Sequence, residues 1–370
     1  MTAYGRLIQE ALAAEATPDT ERTERAVRAL AAAGPDALRH VLTVADEQAD
    51  RHHPALYEVV RRGTYPEAVP VLIPHAGSVA TGVVESVLHA LARSGEDEGP
   101  AFVVARLTDR AEPFLTRAAA SAALQGVSDT AAGDALREVL AEQRGEPDEP
   151  EWPLLLVNTA TALAMMNDHS GATALYPLFA AGPETGRSLA VAAFRLVLDE
   201  DTPHQLSRAL DDPSAEVRAA AVDPLFLIGS PTAARLLLRR AAEDGDPQVR
   251  QHALIRFGDI MGLVLNDAED LPFAREKWEE RGEGLDPAVC HRFGGPVTLG
   301  DLVEEFTEEA TLRAGVAEEL RLLTGVDVPA VLARDGLEAA RRSVRDVPFT
   351  AGRIHKWGHA QPMPPMPPPG

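Results

Sequence analysis

Several residues in this chain have the type and spacing to do chemistry. Glu85 and His89 stand four apart, on one face of a helix if 79–94 is helical. A carboxylate beside an imidazole can act as an acid–base pair, though the same spacing also gives a local hydrogen bond or a recognition surface. Cys290 precedes His291, the residue types of a thiolate nucleophile and its base, but sequence neighbours rarely have the geometry for proton transfer. His52 and His53 point to different sides of a helix, so a solvated helix start explains them better than a shared metal ion. His355 and His359 have the i, i+4 spacing of a zinc helix without its glutamate, and Gly and Pro around them deny the helix. The expectation there is an exposed tail. Gly294-Gly295 lacks the lysine and the strand of a phosphate loop. Asn158 and Thr161 interrupt an apolar helix; lining a groove and bonding to backbone inside the fold both remain open. Asp223-Pro224 lies inside the helix that Val217 begins, where proline removes a hydrogen bond and kinks the chain. Trp357 stands just before a proline-rich end. It docks on the last repeat, engages a partner or a neighbouring subunit, or stays in a disordered tail. No catalytic set, metal site or cofactor follows from these residues.

The elements that position them are helices. Hydrophobic residues make up 45% of the 370, aromatics only 5%, and alanine is abundant. Such a composition favours closely approaching helices, and the period-2 β-branched pattern of strands is scarce. The net charge of −22 disfavours binding to phosphate backbones, so nucleic acid is not an expected partner. One cysteine permits no internal disulfide and no cysteine-based zinc site, in keeping with a reducing compartment. No signal peptide opens the chain and no long apolar run suggests a membrane span, so the expectation is a cytoplasmic protein. The Ala- and Arg-rich, Lys-poor composition fits a high-GC bacterial genome.

Internal repetition is the strongest signal. Asp212-Pro213 is followed by Val217-Arg218 and Ala221; Asp246-Pro247 is followed by Val249-Arg250 and Ala253. The two arginines are 32 residues apart, Arg187 lies 31 before Arg218, and Arg117 lies 70 before Arg187. A period of 31 to 35 residues is that of one helical hairpin. Asp before Pro gives a turn and a cap, Val begins a buried face, and Ala keeps the next hairpin close. The arginine is expected to reach the acidic turn of the adjacent repeat. Helices are expected at 23–33, 36–47, 53–62, 67–75, 79–94, 101–108, 115–126, 131–143, 152–166, 172–180 and 186–198, with the last clear repeats from 204 to 265. Residues 144–151 read as a charged, proline-broken bend. A second helical stretch follows at 302–323 with room for one break, and 328–345 reads as a further pair or a cap.

The Asp-Pro-x-x-x-Val-Arg-x-x-Ala motif at 212–221 and its shorter echo at 246–253 resemble HEAT repeats of the bacterial phycobilisome-lyase type. Trp278, Gly294-Gly-Pro-Val-Thr298, Arg313, Ala317-Glu-Glu-Leu320 and Thr324-Gly325 are similar to the C-terminal region of a group of bacterial HEAT-repeat proteins, some encoded beside contractile secretion systems. The resemblance implies a superhelix whose concave groove holds proteins. Other proteins of this kind do chemistry, but the His-Glu dipeptides of the di-iron hydroxylases are absent, the basic groove of the DNA glycosylases does not suit the charge, and nothing marks a bilin lyase site.

The expectation is therefore an all-α solenoid of about eight helical hairpins over 1–265, a divergent helical cap over 266–347 and a proline-rich flexible tail over 348–370. Its function is expected to be non-catalytic: a scaffold or adaptor holding a protein or peptide, of basic character given the charge. An inhibitory partner-occluding protein and a lyase acting on a bound pigment or modified peptide are the alternatives. If the second helix of each pair lines the groove, Glu85, His89, Asn158, Arg195, Asp223 and Arg256 are candidate contacts, with Trp357 added from the tail.

Overall fold

The structure, a computed structural model, describes residues 3–15, 20–95, 97–127, 129–142, 152–306 and 310–367. The bend expected at 144–151 lies outside these residues. The chain divides into two compact units, 1–162 and 163–370. The boundary expected at 265/266 thus falls inside the second unit.

The first unit contains α1 (Ala3–Glu15), α2 (Thr20–Ala32), α3 (Pro35–Glu47), α4 (Pro54–Arg61), α5 (Val69–Leu72), α6 (Thr81–Leu91), α7 (Glu98–Thr108), α8 (Phe114–Ala123) and α9 (Thr130–Glu142), and most of α10 (Trp152–Met165). Here α2, α4, α6 and α8 pack one on the next, while α3 and α7 back onto α4 and α8. The second unit continues with α11 (Ala172–Ala181), α12 (Glu184–Ala193), α13 (Thr202–Ala209), α14 (Ala215–Ala220), α15 (Val222–Ile228), α16 (Pro231–Glu243) and α17 (Pro247–Met261). One row runs α12, α14 with α15, then α17, and α11 and α16 pack against α12 and α17. This is the architecture of an all-α solenoid. The break between α14 and α15 falls just before Asp223-Pro224, where the proline has no N–H to continue the ladder.

The repeat residues do the work their spacing suggests. The Asp246 side chain accepts from the amides of Gln248 (2.8 Å) and Val249 (3.1 Å), with Pro247 in the first turn of α17. Ser214 and Ser230 cap α14 and α16 in the same way. Arg187 and Arg218 donate to a backbone carbonyl of the turn before their own helix and Arg117 to that of Leu107 in the last turn of α7, and each also reaches a carboxylate 25 or 26 residues further on. Those carboxylates are Glu142, Asp212 and Asp244. The Arg218–Asp244 pair is two-pronged, with both bonds at 2.8 Å.

Beyond α17 the structure departs from expectation. After α18 (Leu271–Arg281) comes a hairpin of β1 (His291–Arg292) and β2 (Gly295–Pro296), then α19 (Leu299–Glu305), α20 (Ala310–Thr324), α21 (Val328–Asp335) and α22 (Leu337–Val344). A second hairpin follows, β3 (Ile354–Lys356) and β4 (His359–Gln361). The tail expected to be flexible is therefore ordered through this hairpin, and Ile354, His355 and Lys356 are buried. His355 and His359 sit on opposite strands, not on an exposed coil. Beyond the hairpin, Pro364 is buried as well.

The two hairpins are copies of one device. Each turns through an aromatic–glycine pair with left-handed backbone, Phe293-Gly294 and Trp357-Gly358. Each tip docks on a helix end closed by a left-handed glycine, Gly262 after α17 and Gly325 after α20. Phe293 and Gly294 donate their amides to the carbonyls of Asp259 (2.8 Å) and Ile260 (3.0 Å); Trp357 and Gly358 donate to Leu322 (2.6 Å) and Leu323 (3.0 Å). In both copies the acceptors lie three and two residues before the glycine. A Cβ on Gly262 would stand 2.5 Å from the Phe293 carbonyl oxygen, and one on Gly325 would stand 2.9 Å from that of Trp357.

Three outcomes follow. Arg218→Ala leaves the fully buried Asp244 carboxylate with the Asp246 amide at 2.9 Å and Arg240 at 3.5 Å as its remaining cation, and should cost about 3 kcal/mol in denaturant unfolding. Arg25→Ala breaks a pair that is mostly exposed on both sides, and should cost about 0.5 kcal/mol or less. Gly262→Ala and Gly325→Ala combine an unfavourable φ with a backbone clash, so each should destabilise by about 2 kcal/mol or more. Of the two, Gly325→Ala should change the fluorescence of Trp357 more.

Candidate functional site

Four of the residues singled out as groove contacts come together. Arg195, just after α12, and Asp223 of α15 share a pocket of about 410 Å³ with Arg256 of α17 and Trp357 of the second hairpin. Leu196, Phe226 and Leu227 complete that side; Gly315, Glu318, Glu319 and Leu322 of α20 form the other. Elements beyond the repeats, α20 and the second hairpin, thus form one side of the pocket.

Asp223 anchors its polar wall. Its carboxylate accepts from Arg256 Nε at 2.8 Å and lies 3.1 Å from His252 Nε2. Burial alone would raise its pKa, but the hydrogen bond from His252 and the charge of Arg256 outweigh that and hold it at about 2. Arg256 also donates to Asp259 at 3.0 Å and lies 4.5 Å from the centre of the Phe226 ring. Arg292 approaches the same ring at 3.5 Å and is almost fully buried. Its Nε lies 3.5 Å from Glu319 Oε1, yet neither atom makes a hydrogen bond.

Beneath the pocket lies Lys356, whose ammonium donates to the Arg195 carbonyl while the Trp357 indole donates to that of Leu196 at 3.3 Å. Hairpin and repeat are therefore joined by two side-chain bonds to consecutive carbonyls. The Cys290 thiol is also buried there, 3.7 Å from the Leu227 carbonyl oxygen, and burial pushes its pKa up. A raised thiol does not suit a nucleophile. His291 turns instead to the Gly229 carbonyl at 3.3 Å, so the Cys290–His291 pair is not assembled as a catalytic dyad.

The other three candidates lie in the first unit. Glu85 is exposed on α6. His89 meets Arg93 at 3.2 Å, and that guanidinium also binds the Ala123 carbonyl at 2.8 Å. Asn158 donates to the Ala118 carbonyl at 3.1 Å, which corrects its reading as a groove contact: its amide ties α10 to α8. Beside it Ser121 and Thr159 meet at 3.0 Å in the core. His53, expected at a solvated helix start, is buried, 3.4 Å from Glu15.

The repeats can now be set against known proteins. Residues 172–258 and 202–276 match the family model described as HEAT repeats. Together the two matches span residues 172–276, under a third of the chain. Among solved structures, human deoxyhypusine hydroxylase in complex with glycerol is similar at 16% identity, with 67% of this chain and 99% of that one covered and a TM-score of 0.27. No curated protein matches the chain. Arg195 and the α12–α17 row that forms the pocket wall fall within the matched HEAT repeats, whereas α20 and both hairpins lie beyond them.

Glu319, Arg292, Lys356 and His252 were not singled out from the sequence. One signal pointed to two of them. His291-Arg-Phe-Gly294 and His355-Lys-Trp-Gly358 repeat the order His, cation, aromatic, Gly, 64 residues apart.

Burial pushes the Lys356 ammonium down to about 7, helped by Arg292 and Arg195 and opposed by Cys290 and Glu319. Between about 7 and the ordinary 10.5 the unfolded chain holds the extra proton, so stability rises with pH across that window. Lys356→Met should flatten the rise and raise the melting temperature near pH 7 by on the order of 5 °C. Thermal unfolding from pH 6 to pH 10 checks it; an unchanged slope in the variant would place the titration elsewhere.

Proposed function

We propose that this protein is a non-catalytic scaffold that holds a protein partner on the inner face of its HEAT repeats. The observation that carries the reading is the pocket at which Arg195, Asp223, Arg256 and Trp357 converge against those repeats. HEAT arrays present a row of second helices on which another chain can lie. A half-buried indole beside arginine is the residue chemistry of an interface anchor.

The state of the ionisable groups supports binding over catalysis. Asp223, held at about 2 and bonded by Arg256 and His252, is a poor general base at neutral pH. Lys356 and Cys290 have their reactive atoms buried and turned toward backbone carbonyls. The partner is a protein or peptide rather than nucleic acid, in line with the charge of −22. No helix of the described residues is long and apolar enough to cross a membrane, and a cytoplasmic, bacterial setting accords with the composition.

The test is quantitative capture from native lysate with the full chain. A partner retained at defined stoichiometry by wild type and by Glu85→Lys, but reduced at least tenfold by Trp357→Ala or Arg195→Glu, is the expected result. A partner whose capture responds to Glu85→Lys alone would move the interface to the first unit. Turnover of a captured small molecule would replace the scaffold reading with an enzymatic one.

A further inference from the structure

The pocket's ionised groups are not equally available. Asp223 and Arg256 neutralise one another, and Asp259 and His252 complete that network. Glu318 faces Arg321 at 3.6 Å at the solvent edge. Two groups remain open. The Arg195 guanidinium is exposed, with no acceptor and no ion-pair partner among the described residues. Glu319 is mostly buried, and its Oε1 lacks a hydrogen bond although Arg292 stands 3.5 Å away. Arg292 is 3% exposed, so it holds the charge of Glu319 without being able to reach a ligand itself. Apolar surface from Leu196, Leu227, Leu322 and Trp357 shares the same cavity.

Oε1 itself is closed off beside Arg292, so a ligand donor meets Glu319 through the part of its carboxylate that lines the cavity, and a bond there offsets some of the cost of burying the charge. An exposed guanidinium is the matching receptor for a carboxylate. A cavity of about 410 Å³ is within the range that encloses a small molecule. We propose that this pocket binds a small zwitterion with an apolar body, its carboxylate on Arg195, its ammonium on Glu319 and its side chain against Trp357. That chemistry belongs to a free apolar amino acid and equally to a short peptide with both ends open. The site does not require the protein partner proposed above, so either reading can fail alone.

The experiment is calorimetric titration of the full chain with L-leucine, L-tryptophan, the dipeptide Leu-Leu, N-acetyl-leucine and leucinamide. At least one open zwitterion should bind, and blocking either of its ends should weaken binding at least tenfold. Binding of the amino acids but not Leu-Leu assigns the site to free amino acids, and the reverse assigns it to peptide ends. Arg195→Gln should weaken the zwitterion at least tenfold and leave leucinamide unchanged. Glu319→Gln should do the converse with N-acetyl-leucine. Arg195 is exposed and unpaired, so its variant should keep the wild-type melting temperature and remain informative if Glu319→Gln folds poorly. No binding by any probe at about 5 mM, or blocked forms binding as tightly as open ones, would overturn the proposal.

Discussion

The second unit depends on what happens at two helix ends. A helix leaves its last carbonyls without intrahelical donors, and a buried end must find them elsewhere. At the ends of α17 and α20 the donors are two consecutive amides from the tip of a hairpin. The arrangement works only if the chain leaves the helix through a left-handed glycine and the hairpin turns through an aromatic–glycine pair. Once made, it fixes where the tip side chain and the preceding cation stand. Trp357 then lines the pocket and Lys356 lies beneath it. The same geometry in the first hairpin sets Arg292 against Phe226 and Glu319. The pocket is thus a consequence of backbone hydrogen bonds made several residues from its open groups.

Those bonds also explain why the polar residues here differ so much in availability. Arg256 and Asp223 belong to consecutive stretches of the repeat array and satisfy each other within it. Glu319 and Arg292 come from elements that meet only because the two hairpin–helix units dock, and they stop 3.5 Å apart without a hydrogen bond. Arg195 follows α12 at a point where its backbone carbonyl is used by Lys356 and its side chain is left free. Groups made by the repeat are closed, and groups made by its meeting with the C-terminal units are open.

The repeats were legible because their signature residues are also their structural parts. Asp246, Pro247 and Arg218 can be read as cap, first turn and cross-repeat anchor, and the structure uses them so, whereas Arg250 bonds the Asp244 and Gly245 carbonyls of the turn before its own helix. Arg195, Asp223 and Arg256 were legible as polar positions on second helices. The hairpins were not, since strands of two and three residues carry no alternating pattern to detect, and proline and glycine nearby suggested a loose tail. Their only trace was the recurrence of His, cation, aromatic and Gly at 291 and 355. Asn158 shows the opposite failure. A polar residue in an apolar helix fits a groove and a core equally well by type, and only the neighbouring α8 carbonyl decides between them.

The net charge bears on what can enter such a pocket. With 57 acidic residues against 35 basic ones, the long-range field opposes a free anion and draws in cations. At the pocket itself the signs are mixed: Arg195, Arg256 and Arg292 stand among the carboxylates of Asp223, Asp259, Glu318 and Glu319. A free cation or a free anion would therefore meet both like and unlike charge at the site. A ligand with no net charge but two opposite ends suits that mixture: salt screening should change its affinity little, since its steering does not depend on the field beyond a Debye length.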